Sequence, residues 1–294
     1  MNCKIYDYAI IGAGPAGCFA AWELSKKGKS VIVFEKGTVG ERKVCGDGIS
    51  KECVALLKKL QFPVDEFERY GATRIENRVI IDKNNQTRIT PYSKEDYPYG
   101  LSRNLTNQIF QDFVKKEGIE IVYGVKVDKF DSGNSLYSVG GYCFKDYVIA
   151  SGVYAKEPTN GLLIHNLENV PIGISMTLRA QTTNKPFFLF DYNPKYNGTY
   201  AWIFKIEDDL WNVGLWLKQD KKIIKKLFDE FMETRVKEVL GQEFKIIYKA
   251  KAQYLATVPS LNERCVGDAS GACSDENGEG IRQAILSAIE YDII

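Results

Sequence analysis

The stretch Asp7-Tyr8-Ala9-Ile10-Ile11-Gly12-Ala13-Gly14-Pro15-Ala16-Gly17 decides how the chain is read, together with the eighteen residues after it. Asp7–Ile11 has the short apolar run of a buried strand. Gly12-x-Gly14-x-x-Gly17 follows at once, and Cys18-Phe19-Ala20-Ala21-Trp22-Glu23-Leu24 carries helical spacing, with Gly28 where such a helix would end. Ser30-Val31-Ile32-Val33-Phe34-Glu35 is a second strand, apolar on both faces, as suits a parallel sheet covered by helices. Strand, glycine loop, helix and strand within about 30 residues form a dinucleotide-binding unit. Each part has a task. Gly12 permits the tight turn, Gly14 lets backbone approach a pyrophosphate, and Gly17 lets helix and strand pack closely. The helix start offers N–H groups and a positive dipole end to phosphates through Gly14, Pro15, Ala16 and Gly17. Glu35 closes the second strand, where it can accept hydrogen bonds from both hydroxyls of an adenosine ribose, and Lys36 follows it.

The Gly14-Pro15 pair is closer to FAD-binding than to NAD-binding versions of this loop. A second signal lies far downstream. Cys265-Val266-Gly267-Asp268-Ala269-Ser270-Gly271 places Gly-Asp-Ala after a short apolar strand, where an aspartate can hold a ribityl hydroxyl of a flavin. Asn277-Gly278-Glu279-Gly280-Ile281 opens the last helix, and its N–H groups would face the N1–C2=O edge of that flavin. Lys36 and Val127 complete the expected cofactor contacts.

Composition bounds the alternatives. Of 294 residues, 45% are hydrophobic and 26% charged, which excludes a disordered or collagen-like chain. Lys+Arg is 39 against Asp+Glu 38, so the balance gives no reason to expect nucleic acid as a partner. One histidine, His165, excludes a His-rich metal centre; it lies in a polar loop and is expected at the surface. Seven scattered cysteines without a CxxC pair argue against a zinc site or a secreted disulfide framework. No metal is expected. No apolar run reaches the length of a membrane span, no signal peptide precedes the first strand, and a cytoplasmic protein is the expectation.

Between the two cofactor signals, Ser50–Leu60 reads as a helix capped by Ser50, and residues 72–92 as a polar hairpin turning at Asn84-Asn85. Asn104–Lys116 reads as a second helix, followed by strands at Ile119–Tyr123, Val125–Phe130, Leu136–Val139 and Tyr142–Ala150. From residue 160 the texture changes to successive antiparallel strands, then to an amphipathic helix over Lys221–Leu240 that packs on the sheet. The predicted fold class is α/β: a Rossmann-type FAD-binding domain of the glutathione reductase-like, p-hydroxybenzoate hydroxylase-like kind, with an inserted antiparallel-sheet substrate domain. Residues 1–74, 100–158 and 256–294 are assigned to the FAD-binding domain, and 75–99 and 159–255 to the substrate domain.

Four further segments carry a more specific resemblance. Lys43-Val44-Cys45-Gly46-Asp47-Gly48 resembles the Cys-Gly motif of the geranylgeranyl reductase family. Leu101-Ser102-Arg103-Asn104-Leu105 resembles its arginine segment. Thr199-Tyr200-Ala201-Trp202-Ile203-Phe204, followed by Asn212-Val213-Gly214-Leu215, resembles its Tyr-x-Trp-x-Phe motif and the strand after it. Gly267–Gly271 through Gly278-Glu279-Gly280-Ile281 matches its flavin loops. The resemblance implies an FAD-dependent oxidoreductase that reduces C=C bonds of isoprenoid, geranylgeranyl-type chains by hydride transfer, a step in lipid biosynthesis. It implies that Cys45, Gly46 and Arg103 lie along the cofactor, that Cys45 and Asp47 are catalytic candidates, and that Tyr200, Trp202 and Phe204 bind an apolar small-molecule or lipid substrate. A Cys45–Cys273 pair is a further redox option. No second glycine fingerprint is present, so electrons are expected from transient NADPH or from a ferredoxin.

Members of the family usually continue beyond the flavin helix, so the resemblance also implies a chain shortened at its C-terminus. An incompletely covered apolar cavity would favour a homo-oligomer, a partner subunit or peripheral contact with a membrane. The rival readings are an FAD-dependent monooxygenase of the same fold and a shortened, non-catalytic electron-transfer flavoprotein. The purified protein is expected to be yellow with non-covalent FAD, and Glu35→Ala to weaken FAD binding by roughly 1–3 kcal/mol, the scale of bonds to a charged group. Titration of the stripped protein with FAD measures this, and a colourless protein that takes up none at micromolar concentration refutes it.

Overall fold

The computed structural model describes residues 4–39, 41, 43–133, 136–182, 184–218 and 221–291. They form two compact units. Residues 1–41, 107–170 and 255–294 belong to the first, and residues 42–106 and 171–254 to the second. Relative to the expected boundaries, residues 42–74 and 100–106 fall in the second unit, and 159–170 and Leu255 in the first.

The first unit is built on a six-stranded sheet in the order Glu120–Tyr123, Val31–Glu35, Ile5–Ile11, Tyr142–Ile149, Leu136–Val139, Asp131–Gly133. The first four strands run parallel, and the last two return antiparallel as a meander. Ile10 lies between Val33 and Val148, and all three are buried, which is why this part of the sequence reads as unbroken apolar runs. Phe34, Phe130, Phe144 and Tyr147 build the core on one side. The helix Pro15–Lys26 stacks Phe19 and Trp22 edge-on against Phe110 and Phe113 of the helix that starts at Arg103. The expected strand at Val125–Phe130 is not formed. Gly124 turns the chain through a left-handed residue, and Val125 then donates its N–H to the Glu35 carbonyl at 3.0 Å, outside any ladder. Around Cys265 only a single parallel bridge to Ile149 forms.

The second unit carries a seven-stranded sheet in the order Lys245–Tyr254, Ile172–Arg179, Leu210–Leu217, Ala201–Glu207, Phe187–Asp191, Asn77–Ile81, Thr87–Pro91. The hairpin of the last two strands turns through left-handed Asn85. Five of the six pairings are antiparallel; Phe187–Asp191 joins Asn77–Ile81 in parallel, so the inserted sheet is mixed at this seam. Strand alternation divides its faces. Leu189, Ile203, Trp211, Val213 and Leu215 form one core with Leu227, Phe228, Phe231 and Val236 of the helical segment 221–240, which contains one π-helical stretch at Met232–Val236. Phe188, Phe190, Tyr200, Trp202, Phe204 and Trp216 occupy the alternate positions. Among the described residues no helix is long and apolar enough to cross a membrane.

The glycine at position 17 is a hard constraint. A Cβ there would lie 1.8 Å from the Gly12 carbonyl oxygen and 3.3 Å from the Ala150 methyl. Gly17→Ala is therefore expected to lower unfolding stability by about 2 kcal/mol or more, the upper range of overpacking costs. Urea denaturation of the cofactor-free protein measures it, and an unchanged midpoint refutes it.

Candidate functional site

In the first unit, the loop after the first strand fits a dinucleotide pyrophosphate. Gly12 has φ 106°, and a side chain there would strike the Ala150 carbonyl oxygen at 2.6 Å. Gly14 is the N-cap of the helix Pro15–Lys26 and has no side chain to cap it, while Pro15 has no N–H to satisfy. The Ala16 and Gly17 N–H groups stand in the first turn, where an anion is favoured. The loop is held from both sides. Ala13 donates its N–H to Glu35 Oε2 at 2.8 Å, and its carbonyl accepts from Gln111 Nε2 at 3.0 Å. Gln111 is in turn oriented by the Tyr123 hydroxyl. Glu35 is only 5% exposed, and its other oxygen accepts from Gly37 N–H. Lys36 is exposed beside it, and Val127 is partly buried against the core.

The downstream loop arrives at the same place. Gly267 has φ 63°, and a Cβ there would lie 2.6 Å from the Ala16 methyl, so the Gly267-Asp268 turn rests directly on the first helix turn. The Ser287 hydroxyl accepts the Gly267 N–H at 2.7 Å. Gly280, the uncapped N-cap of the helix Ile281–Ile289, lies beside Asp268, where an added Cβ would be 3.8 Å from Asp268 Oδ1. Gly278 turns the preceding chain at φ 68°. Gly12, Gly14, Pro15, Ala16, Gly17, Glu35, Lys36, Val127, Gly267, Asp268, Gly278, Gly280 and Ile281 all belong to one unit; the glycine loops and Asp268 stand around two helix starts, and this donor set suits a dinucleotide. Cys265 lies beneath; burial pushes its thiol up to about 12, which leaves it protonated at neutral pH.

Cys45, Gly46, Asp47, Arg103, Tyr200, Trp202 and Phe204 belong to the second unit. The Cys45–Gly48 loop lies on the aromatic face of the seven-stranded sheet. A Cβ at Gly46 would touch Trp202 and Phe204 at 3.5 and 3.6 Å, and one at Gly48 would press on Phe188 and Phe204 at 3.2 and 3.3 Å. The face is a chain of ring contacts: Phe188 to Phe204 at 4.3 Å between centroids, Phe204 to Phe190 at 5.0 Å, Phe190 to Tyr200 at 5.2 Å, and Tyr200 to Trp216 at 6.0 Å. Asp47 is 1% exposed and left-handed at φ 60°, a strained state for a non-glycine residue. Its carboxylate accepts from Arg103 N–H at 2.8 Å and from Asn212 Nδ2 at 2.7 Å. Asn212 also donates to the Cys45 carbonyl at 2.8 Å and accepts from Trp202 Nε1 at 2.8 Å. One buried amide therefore fixes the cysteine, the aspartate and the tryptophan together. Cys45 and Cys273 are not joined by a disulfide.

Two residues were read differently or passed over in the sequence. His165 is not at the surface: it is 6% exposed, with Nε2 at 2.8 Å from the Asp268 carbonyl and 2.9 Å from that of Ala269. Asn212 is the polar residue between Trp211 and Val213, at a position where strand alternation puts it on the face of Trp202 rather than in the helix-covered core. That misfit of one polar side chain in an apolar strand was the available signal. Asn212→Leu leaves three buried polar groups without this partner and is expected to cost about 3 kcal/mol or more. Asp47→Asn, which turns an NH2 toward one of two donors, is expected to cost about 1–3 kcal/mol. Urea midpoints of the two variants measure both, and wild-type values refute the network's role.

Known proteins resemble this chain. A family model described as FAD dependent oxidoreductase matches residues 7–44. Digeranylgeranylglycerophospholipid reductase 3 of Methanosphaera stadtmanae is 29% identical over 98% of this chain and 77% of its own length. The digeranylgeranylglycerophospholipid reductase of Methanocaldococcus jannaschii is 24% identical over 96% of this chain and 74% of its own. The crystal structure of a geranylgeranyl bacteriochlorophyll reductase-like protein from Thermoplasma acidophilum superimposes with a TM-score of 0.79 at 17% identity, over 98% of this chain and 77% of that one. The chain thus spans about three quarters of the length of these relatives. It is an FAD-dependent oxidoreductase in fold and cofactor, and it resembles the geranylgeranyl reductase flavoproteins along nearly its whole length.

Proposed function

We propose that the protein reduces carbon–carbon double bonds of an isoprenoid chain, of the kind borne by archaeal membrane lipids. The observation that carries this reading is the aromatic face of the seven-stranded sheet, which carries six rings beside the Cys45–Gly48 loop and the Asn212 amide, with Ser175, Thr177 and the Arg78 guanidinium on the same face. Such a surface offers an alkene chain dispersion contacts and few groups to hydrogen-bond. The near-full-length similarity to proteins named digeranylgeranylglycerophospholipid reductase supports the same substrate class.

FAD, once reduced, supplies a hydride equivalent. The chain's own groups do the rest. Ala16, Gly17, Gly267 and Asp268 bind the cofactor, with Gly280 and Ile281 at the last helix start. Arg103 opens its helix beside Asp47 and is assigned a place along the cofactor. Tyr200, Trp202 and Phe204 bind and orient the prenyl chain and exclude water. Asn212 and Asp47 hold the Cys45–Gly46 segment. The second hydrogen arrives as a proton from water or from a nearby side chain, for which Asp47 and Cys45 are the candidates. Electrons come from NADPH or a reduced ferredoxin, for which dithionite substitutes in an assay. An apolar lipid substrate also gives the protein a reason to work at a membrane surface or as an oligomer.

Dithionite-reduced protein mixed with a geranylgeranyl lipid is expected to yield product with two hydrogens gained per reduced bond, read by mass spectrometry. Trp202→Ala should keep its FAD and lose about tenfold or more in kcat/KM. Oxygen uptake matching NAD(P)H oxidation, with an oxygenated product, would instead establish a monooxygenase.

A further inference from the structure

We propose that His165 is a positioning residue for the cofactor: it clamps the Asp268–Ala269 turn in the shape that receives FAD. The inference rests on the reading of Gly267–Gly271 as a flavin-binding loop and goes beyond it by naming what holds that loop.

The geometry is specific. Gly267–Ser270 is a single 3-10 turn ended by left-handed Gly271. The last carbonyls of any helical turn lack partners within it, and a histidine beyond the end is one of the side chains that can satisfy them. Here one ring nitrogen does so twice. His165 Nε2 lies 2.8 Å from the Asp268 oxygen and 2.9 Å from the Ala269 oxygen. Both neighbours are carbonyls and can only accept, so the ring carries a proton on Nε2 and donates it. The Asp268 carbonyl also accepts from Gly271 N–H at 3.2 Å. Among the described residues, the His165 ring is the donor found at the Ala269 oxygen.

The histidine is itself fixed. Its strand-like approach is set by the Lys156–Leu163 bridge and by the Ile164 N–H on the Ala155 carbonyl at 3.0 Å. Directly after it, the Asn166 side chain caps a 3-10 turn through Glu168 N–H. At the other end of the loop, Ser287 holds Gly267 N–H. The turn is thus gripped at its first N–H and at its last carbonyls, while Gly267 rests on Ala16. Two consecutive peptide planes are aimed by one imidazole, and the first of them begins at the Asp268 Cα, which carries the carboxylate. A loop that keeps the binding shape only part of the time binds more weakly in proportion to that fraction. Without the clamp, a loop in the receiving shape one time in ten gives a dissociation constant about tenfold higher.

The test uses the full chain stripped of FAD, titrated with FAD by quenching of flavin fluorescence. His165→Phe keeps the ring volume and removes the donor; His165→Gln keeps an amide N–H at the reach of Nε2. The expected result is an FAD dissociation constant raised about tenfold in His165→Phe and restored to within about threefold of wild type in His165→Gln. Asp268→Ala is the control on the underlying reading. If Asp268→Ala weakens FAD and His165→Phe does not, the proposal falls and the loop assignment stands. If neither weakens FAD, the loop assignment itself falls. A His165→Phe protein with a lowered urea midpoint but a wild-type dissociation constant assigns the residue to stability alone and overturns the proposal. Because this is the chain's sole histidine, the wild-type protein gives a second measurement that needs no variant. Its nitrogen-15 imidazole signals are expected to report the Nε2–H tautomer, with proton exchange slower when FAD is bound. An Nδ1–H tautomer, or exchange indifferent to FAD, overturns the proposal.

Discussion

Everything in the first unit depends on one missing carbon. At Gly17 the first helix presses its backbone onto the Gly12 carbonyl so closely that a methyl would sit inside that oxygen. The contact is repeated at a distance in sequence. Gly12 leaves no room between its own backbone and Ala150, and Gly267 leaves none between itself and Ala16. Three segments, from the start, middle and far end of the chain, therefore meet without side chains between them. Two helix starts, at Gly14 and Gly280, neither with a side-chain cap, are consequently arranged about one loop pair, a geometry that favours an anion. The polar supports, Glu35 and Gln111 on either side of Ala13, keep the loop in place but do not create the close approach.

The second unit solves a different problem. Its sheet packs a helical segment on one face and carries six aromatic rings on the other. Alternation along each strand separates the two duties residue by residue: Ile203 packs under the helical segment, and Trp202 and Phe204 do not. Asn212 is the polar side chain that joins the loop to the rings on the aromatic side. Its amide holds the carboxylate of left-handed Asp47 and the Cys45 carbonyl and so gives the Cys45 loop a fixed place on that surface, at the cost of burying a polar group that must stay fully bonded.

What the sequence revealed was local. The glycine loop, Glu35 and the Ser50 cap each lie within a few residues of the structure they determine, and so does the Asn85 turn; their conformational demands are written in neighbouring letters. The Gly-Asp-Ala turn and the Tyr-x-Trp-x-Phe strand were legible through family resemblance. The remaining features depend on partners far away. Asn212 meets Asp47 across 165 positions, and His165 meets Asp268 across 103. A histidine flanked by polar residues reads as exposed until the carbonyls that need it are known. The parallel seam between Phe187–Asp191 and Asn77–Ile81 is invisible for the same reason, since each strand alone is consistent with an antiparallel neighbour.

The scattering of the first unit along the chain has a consequence for synthesis. Its parallel sheet has all its strands once residue 149 has been made, yet the Gly267 turn and the helix Ile281–Ile289 come more than a hundred residues later, after the whole seven-stranded sheet. During that interval the nascent protein has a pyrophosphate loop but nothing to seat against Ala16, and His165 has no carbonyls to grip. A ligand that needs both loops would stabilise by mass action only chains in which the last turn has docked. A ribosome that stalls within the second sheet leaves a fragment with long non-local pairings begun and the last turn and helix of the first unit unmade, the kind of species that aggregates or is degraded.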